Sequence, residues 1–350
     1  MPSTLNVSVI GFGMAARVFH LPVIQSVPTL RLKTIVERSG DEARQRYPAA
    51  EIVREATAVW QDPTIDLVVI TTPNPSHFDL ARQALLANKH VVVEKPFTTT
   101  SAEAQQLIDL AQQKNRVLSV HHNRRWDNDF LTVRKIIEGN YLGQLVEYEA
   151  HYDRFRPALK TGAWREAAQA GSGILFDLGA HLIDQAQVLF GLPQALTADI
   201  RTQRVGAQAD DNFELIFHYP DLKVTLKAGM LVREPGPRFT LHGTAGSFVK
   251  YGLDPQEEAL KQGRSPSETN WGLEPQAQWG RLNTQFNGLH FEGQIETLAG
   301  CYPAFYQNVA DAITGQAELI VKPEQAHHTI RLIELALESN RQRRTVEVDR

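Results

Sequence analysis

Over its first third the chain alternates short apolar runs with amphipathic stretches. The run at Val7–Ile10 ends in Gly11-Phe12-Gly13-Met14-Ala15-Ala16, and a helix-like pattern follows over residues 15–19, expected to end near Pro22, which cannot continue it. A second strand is predicted over 30–36, closed by Glu37. A short strand at 52–53 and a helical piece at 56–60 come next. Residues 66–72 form a continuous, mostly β-branched run, as in a buried parallel strand. It breaks at Pro73-Asn74-Pro75-Ser76-His77, where Ser76 is placed to cap a helix over 77–87. The next strand, 91–93, ends in Glu94-Lys95-Pro96. Ser101 is read as the cap of a helix whose apolar face is Ala104, Leu107, Ile108 and Ala111. A last strand is expected at 117–120. Strand and helix in strict alternation predict parallel βαβ units, hence a dinucleotide-binding Rossmann domain over residues 1–122.

The rhythm changes after His122. A helix is predicted from Asn123 to about Glu138, then a half-buried strand over 144–154 that alternates apolar and polar positions. A helix starts after Gly171-Ser172-Gly173 and carries Asp177 and His181. Strands are expected at 195–204, 212–218, 223–230, 238–243 and 247–250, in succession and without intervening helices. That order suggests a mostly antiparallel open sheet. Residues 252–300, rich in Gly, Pro, Gln and Asn, read as loops. Helices at 303–314 and 323–340 and an edge strand at 346–348 close the chain. The fold class is therefore α/β, an N-terminal Rossmann domain with a C-terminal α+β domain over residues 123–350.

Composition narrows the picture. At 350 residues the chain exceeds what one core usually serves, which favours two domains. A formal net charge of -4 gives no reason to expect a nucleic-acid or anionic-membrane partner. One cysteine, Cys301, cannot form an internal disulfide or a cysteine-rich zinc site. The N-terminal residues have no signal-peptide pattern, and no apolar run nears membrane-helix length, so a cytoplasmic protein is expected.

The candidate chemistry begins at the glycine turn. Gly11 allows the tight turn, Gly13 leaves room for a pyrophosphate, and Ala16 lets helix and strand lie close. The turn residues Gly11, Phe12, Gly13, Met14 and Ala15 are thus candidate cofactor contacts. Glu37 stands where an acidic side chain takes the adenosine ribose hydroxyls, and Arg38 where a cation receives the 2′-phosphate of NADP. The two argue for opposite cofactors. Thr72, Pro73, Asn74, His77, Glu94 and Lys95 lie in or beside loops at the carboxyl ends of strands, where open α/β sheets bind ligands. His20 and His77 could contact a ribose or phosphate, or serve the core. Pro96 restricts the Lys95 backbone, and a lysine in a closed site can exchange protons. The i, i+4 spacing of Asp177 and His181 puts a carboxylate and an imidazole on one helix face, suited to general base work. Adjacent His121 and His122 point to different faces and form no good chelate.

These motifs, with Asp62-Pro63-x-Ile65-Asp66 and Asn88-Lys89-His90, resemble the glucose–fructose oxidoreductase / inositol dehydrogenase / MocA family over nearly the whole chain. Residues 119–131 and 250–257 look like the branch that contains NADP-dependent scyllo-inositol dehydrogenase. The resemblance implies nicotinamide-dependent oxidation of a ring secondary alcohol of a polyol or sugar, or the reverse reduction. It implies Lys95, Asp177 and His181 as catalytic positions and a homodimer or homotetramer built through the C-terminal sheet. Asn123, Arg124, Tyr152, Trp164 and Arg165 are candidate substrate contacts. That branch usually has a small polar residue where Glu37 stands, so the cofactor stays open between NAD and NADP. Two alternatives stand beside the dehydrogenase: a reductase of another keto-sugar or nucleotide-sugar, and a dinucleotide-binding regulator without turnover.

Overall fold

The structure, a computed structural model, describes residues 4–160 and 166–349. They divide into two compact units.

The first unit holds a six-stranded parallel sheet in the order β3-β2-β1-β4-β5-β6. Its strands are β1 (Leu5–Ile10), β2 (Leu30–Val36), β3 (Glu51–Val53), β4 (Leu67–Ile70), β5 (His90–Val93) and β6 (Leu118–Val120). The order reverses direction between β1 and β4, which is the topological switch point of a doubly wound dinucleotide fold. Buried apolar runs such as Leu67-Val68-Val69-Ile70 make these strands, because both faces of the sheet are covered.

The helices differ from expectation in instructive ways. After the glycine turn, Ala16–His20 is a π-helical turn. Pro22 does not end the helix. It lies in the first turn of α1 (Leu21–Gln25), where the missing N–H has no partner to lose. Helices α2 (Glu42–Arg46), α3 (Thr57–Gln61) and α4 (His77–Leu86) follow. Ser76 precedes α4 but makes no capping bond; its hydroxyl donates to the Pro73 carbonyl at 2.7 Å. The cap of α5 (Ser101–Lys114) is Thr100, one residue earlier than expected, in a capping box with Glu103.

The expected division at residue 122 also differs. The first unit runs to Trp126 and includes residues 255–271 and 301–327. These later segments bring α8 (Gln256–Lys261), α9 (Pro303–Ile313) and the start of α10 (Pro323–Gln342). Leu260, Tyr302, Phe305, Tyr306, Val309 and Val321 join the first unit's own core, with Leu21, Val23 and Trp126. Hydrophobic burial therefore assigns them to this unit rather than to the sheet domain that precedes them in sequence.

The second unit is built on a nine-stranded sheet, β14-β13-β12-β11-β7-β10-β9-β8-β15. Its strands are β7 (Leu145–Asp153), β8 (Ala195–Arg201), β9 (Asn212–His218), β10 (Lys223–Gly229), β11 (Phe239–Gly243), β12 (Gly246–Lys250), β13 (Gly280–Phe286), β14 (Leu289–Ile295) and β15 (Val346–Glu347). All neighbours are antiparallel except β7 and β10. Helices α6 (Asn128–Glu138) and α7 (Ala180–Phe190) belong to this unit. The reading of 252–300 as loops is overturned by α8 and the β13–β14 hairpin. Asn287 and Gly288, at φ 50° and 80°, form its two-residue turn, the backbone that an Asn-Gly pair favours.

Candidate active site

In the first unit the glycine turn sits at the carboxyl end of β1. Gly11 has φ +99°, and a Cβ there would lie 3.0 Å from the Thr71 hydroxyl. Both conditions require glycine. The Thr71 hydroxyl donates to the carbonyls of Ile10 and Gly11 at 3.0 and 3.2 Å, which ties the turn to β4. A Cβ at Gly13 would meet nothing within 4 Å. That open space beside an exposed backbone suits a pyrophosphate, so the turn fits a dinucleotide.

At the end of β2, Glu37 is buried and Arg38 exposed. The Glu37 carboxylate accepts the Ala43 N–H through both oxygens, at 3.3 and 3.4 Å. Arg54 lies beside it, with Nη1 3.9 Å from Oε2, and donates to the Glu37 carbonyl at 3.0 Å. The carboxylate is thus turned toward its own loop, leaving Arg38 outermost.

Behind the loops at the ends of β4 and β5 lie buried polar groups. His77 is fully buried, with Nδ1 2.9 Å from the Pro96 carbonyl and Nε2 2.8 Å from the Thr72 carbonyl. Its polar atoms brace the two loops from within. Burial pulls its pKa below the ordinary value, against those two carbonyls. The Lys95–Pro96 peptide is cis. Glu94 is likewise turned inward: its Oε1 is 2.7 Å from His20 Nε2 and 3.3 Å from His121 Nδ1, and its Oε2 accepts the Lys95 N–H at 2.8 Å. Tyr306 OH meets His20 Nδ1 at 2.5 Å. Burial opposes the charge on Glu94, but the bonds from His121 and His20 outweigh it and hold the pKa well below the carboxylate range. Burial, with His20 alongside, lowers His121 to about 4.

His20, Glu94 and His121 place three ligand-type atoms within 4.8 Å of one another. Zinc ligands at ordinary bond lengths stand about 3.3 Å apart around a tetrahedron. The 2.7 Å contact is a hydrogen bond, so the cluster is a proton-sharing network rather than a metal cage.

Asn123 and Arg124 also lie in the first unit, on a 3-10 turn after β6, and both are buried. Arg124 Nη2 donates to Glu257 Oε2 at 2.6 Å. Burial resists the Glu257 charge, and Arg124 and Lys261 overcome it, taking its pKa to about 2.

In the second unit Asp177 falls on a π-helical turn, Leu175–Gly179, that runs into α7, which carries His181. Such turns recur at functional sites because they offset side chains from the α-helical register. Asp210 starts the turn: its Oδ2 accepts the Leu175 N–H at 2.7 Å, and its carbonyl accepts the Ile174 N–H at 3.0 Å. Burial raises Asp210 to about 6, with the Leu175 amide acting against the rise. A Cβ at Gly173 would lie 1.9 Å from Asp210, so the approach needs glycine. Asp177 is half-buried and His181 buried.

Tyr152 packs its ring against His181, with centroids 6.4 Å apart, and its hydroxyl donates to Asp127 at 3.5 Å. On Tyr152 rests Arg238, whose guanidinium carbon is 4.0 Å from the ring centroid. Arg238 is buried, donates to Gln185 at 2.8 Å and lies 3.6 Å from Asp129. Asp127 and Asp129 fall in the polar stretch 119–131 that carried the resemblance, but no spacing marked them as neighbours of Gln185 and Arg238, which lie far along the chain. Trp164 and Arg165 lie outside the described residues.

The comparisons with known proteins agree with this architecture. Residues 5–122 match the oxidoreductase family's NAD-binding Rossmann fold, and residues 134–348 its C-terminal alpha/beta domain. The chain belongs to the Gfo/Idh/MocA oxidoreductase family. It is an NAD(P)-dependent oxidoreductase. It is 43% identical to the uncharacterized oxidoreductase YdgJ of Escherichia coli, over 99% of each chain. It is 38% identical to the scyllo-inositol 2-dehydrogenase (NADP(+)) IolW of Bacillus subtilis, over 99% of this chain and 96% of that one. Among solved structures, the oxidoreductase yvaA of Bacillus subtilis superposes with a TM-score of 0.96 at 38% identity, over 100% of this chain and 99% of that one. Among the described residues no helix is long and apolar enough to cross a membrane.

Proposed function

We propose that the protein oxidises a ring secondary alcohol of an inositol-like polyol, or reduces the matching ketone, with NADP as preferred cofactor. The observation that carries this reading is the inward-held strand end at Glu94-Lys95-Pro96, which leaves one half-buried lysine at the carboxyl edge of a dinucleotide sheet. The likeness to IolW over the full length favours an inositol as the alcohol.

Bound nicotinamide would supply a hydride acceptor at its C4. The residues of this chain do the rest. Lys95 donates a hydrogen bond to the reacting oxygen and stabilises the negative charge that develops on it. His181 takes the hydroxyl proton as general base, and Asp177 holds a neighbouring substrate hydroxyl or tunes the imidazole. The alcohol thus loses one hydride and one proton and becomes a ketone. Tyr152, under Arg238, fixes the plane of the His181 ring. The preference for NADP is supported by the inward carboxylate of Glu37 beside the exposed Arg38, since a guanidinium binds a 2′-phosphate that a facing carboxylate would repel.

Self-association through the second unit's sheet is part of the same proposal. The β13–β14 hairpin at the edge of that sheet exposes Phe286, Leu289 and Phe291 side by side, apolar surface that self-association would cover. Light scattering on the purified protein tests it, and a monomer at micromolar concentration would refute it.

The activity is tested by absorbance at 340 nm, with NAD and NADP in separate wells, across inositols and aldoses. Reduction of NADP by an inositol is expected. Silence throughout, with cofactor binding intact by thermal shift, would favour the non-catalytic regulator.

A further inference from the structure

We propose that Glu94, clamped by His20, His121 and Tyr306, is the positioning residue of Lys95, so that a buried four-residue network sets the aim of the lysine. The proposal rests on the role assigned to Lys95 above.

The network joins four separate parts of the first unit. His20 ends the π-helical turn that follows the glycine loop, Glu94 leaves β5, His121 leaves β6, and Tyr306 belongs to α9. His20 is fully buried, Tyr306 likewise, and His121 is 2% exposed. The rings are packed: His20 and His121 centroids are 4.1 Å apart, and Phe305 meets His121 edge-on at 4.9 Å.

The hydrogen bonds fit one protonation pattern. Ionised Glu94 accepts from His20 Nε2–H and His121 Nδ1–H on one oxygen, and from the Lys95 N–H on the other. His20 Nδ1 then accepts the Tyr306 hydroxyl. Each proton has one place, so the carboxylate cannot rotate without breaking two bonds in a dry site. The only one of these donors that belongs to the proposed chemistry is the backbone of Lys95. On the far side the Pro96 carbonyl is held by His77. The lysine's main chain is therefore gripped before and after its Cα, while its side chain stays half-buried. A network needed only for stability has no need to end on that amide.

The test uses the full-length protein with E94A, E94Q, Y306F, K95M and the double variant E94Q/K95M. Glutamine can keep the bond to the Lys95 N–H through its oxygen while its amide donates to a His20 of the other tautomer. The first readout needs no substrate: hydrogen exchange of the Lys95 amide. Protection is expected in the wild type, near-complete loss in E94A and partial retention in E94Q. Equal exchange in wild type and E94A overturns the proposal, whatever the substrate. The second readout is turnover on scyllo-inositol. E94Q should lower kcat about tenfold with the dissociation constant for NADPH unchanged, and Y306F less. In the K95M background, E94Q should cost almost nothing further. Full additivity of the two losses would overturn the proposal. K95M that retains normal kcat would instead remove Lys95 from the chemistry and leave the exchange result standing. If E94A does not fold, E94Q and Y306F carry the same comparison.

Discussion

His77 spans two loops of the first unit: one ring nitrogen is 2.9 Å from the Pro96 carbonyl and the other 2.8 Å from the carbonyl of Thr72. The loop after β4 and the loop after β5 are thus braced by one buried side chain. H77A would remove the one N–H that a neutral imidazole gives to this pair of carbonyls and leave a buried cavity of imidazole size. It should destabilise the protein by about 2–4 kcal/mol. Urea unfolding measures this, and a loss within about 0.5 kcal/mol would show the brace to be unimportant.

Gly13 separates binding from folding. The space that a Cβ would occupy is open, so G13A should unfold at the wild-type urea midpoint. If that space receives a pyrophosphate, the same variant should bind NADPH at least tenfold more weakly. Titration calorimetry reads the second quantity, and unchanged affinity would place the dinucleotide elsewhere.

Arg38 and Glu37 divide the cofactor choice. R38A should raise the KM for NADP about tenfold or more and leave that for NAD nearly unchanged, because only NADP carries the phosphate. Equal effects on both cofactors would contradict the outward role of Arg38.

His181 as general base implies a rate loss rather than a binding loss. H181N should lower kcat by roughly 10²–10⁴ and abolish the acid limb of the pH profile. A variant that keeps kcat and changes only KM would assign His181 to substrate binding.

Acid stability carries a signature of buried histidines. Burial lowers His90 to about 4, with Arg116 adding to it, and His121 to about 4 as well. Both are neutral when folded and bind protons near 6.5 when unfolded. Their contribution is full above pH 6.5 and is lost as pH falls toward 4. Asp210, raised to about 6, works in the opposite sense: its contribution is present at low pH and lost as pH rises through 6. His77, lowered by burial, adds a third loss. His151, whose burial is outweighed by Asp153 and Glu149 so that its pKa is raised, adds a second gain, and the histidine losses leave a net decline in stability on acidification. His90 Nδ1 accepts the Val117 N–H, and an asparagine oxygen can replace that acceptor. H90N should therefore flatten the decline between pH 6.5 and 5 by about one proton. An unchanged slope in urea titrations would show that His90 does not titrate in this way.

Much of the first unit was legible because parallel strands buried on both faces are written as short apolar runs. β4 and β5 fall within two residues of their predicted bounds for that reason, and β9 falls on its bounds through strict alternation. Capping and proline were harder: Thr100 rather than Ser101 caps α5, and Pro22 begins a helix instead of ending one, because the preceding turn is π-helical. The hairpin at Asn287-Gly288 had a readable signal, hidden by polar residues on strands that are largely exposed. Residues 301–327 joined the first unit through apolar burial between segments far apart in sequence, which no local pattern records. The same holds for the network on Glu94. His20, His121 and Tyr306 look like unrelated positions until the fold collects them on one carboxylate.

The central claim is hydride transfer from a polyol ring carbon. Ring-deuterated scyllo-inositol, incubated with the enzyme and NADP, tests it by mass spectrometry of the recovered cofactor. The account predicts NADPH heavier by one deuterium and an inositol ketone in equal amount. Reduced cofactor without the label, or no reduction at all while NADPH binds normally, would contradict it.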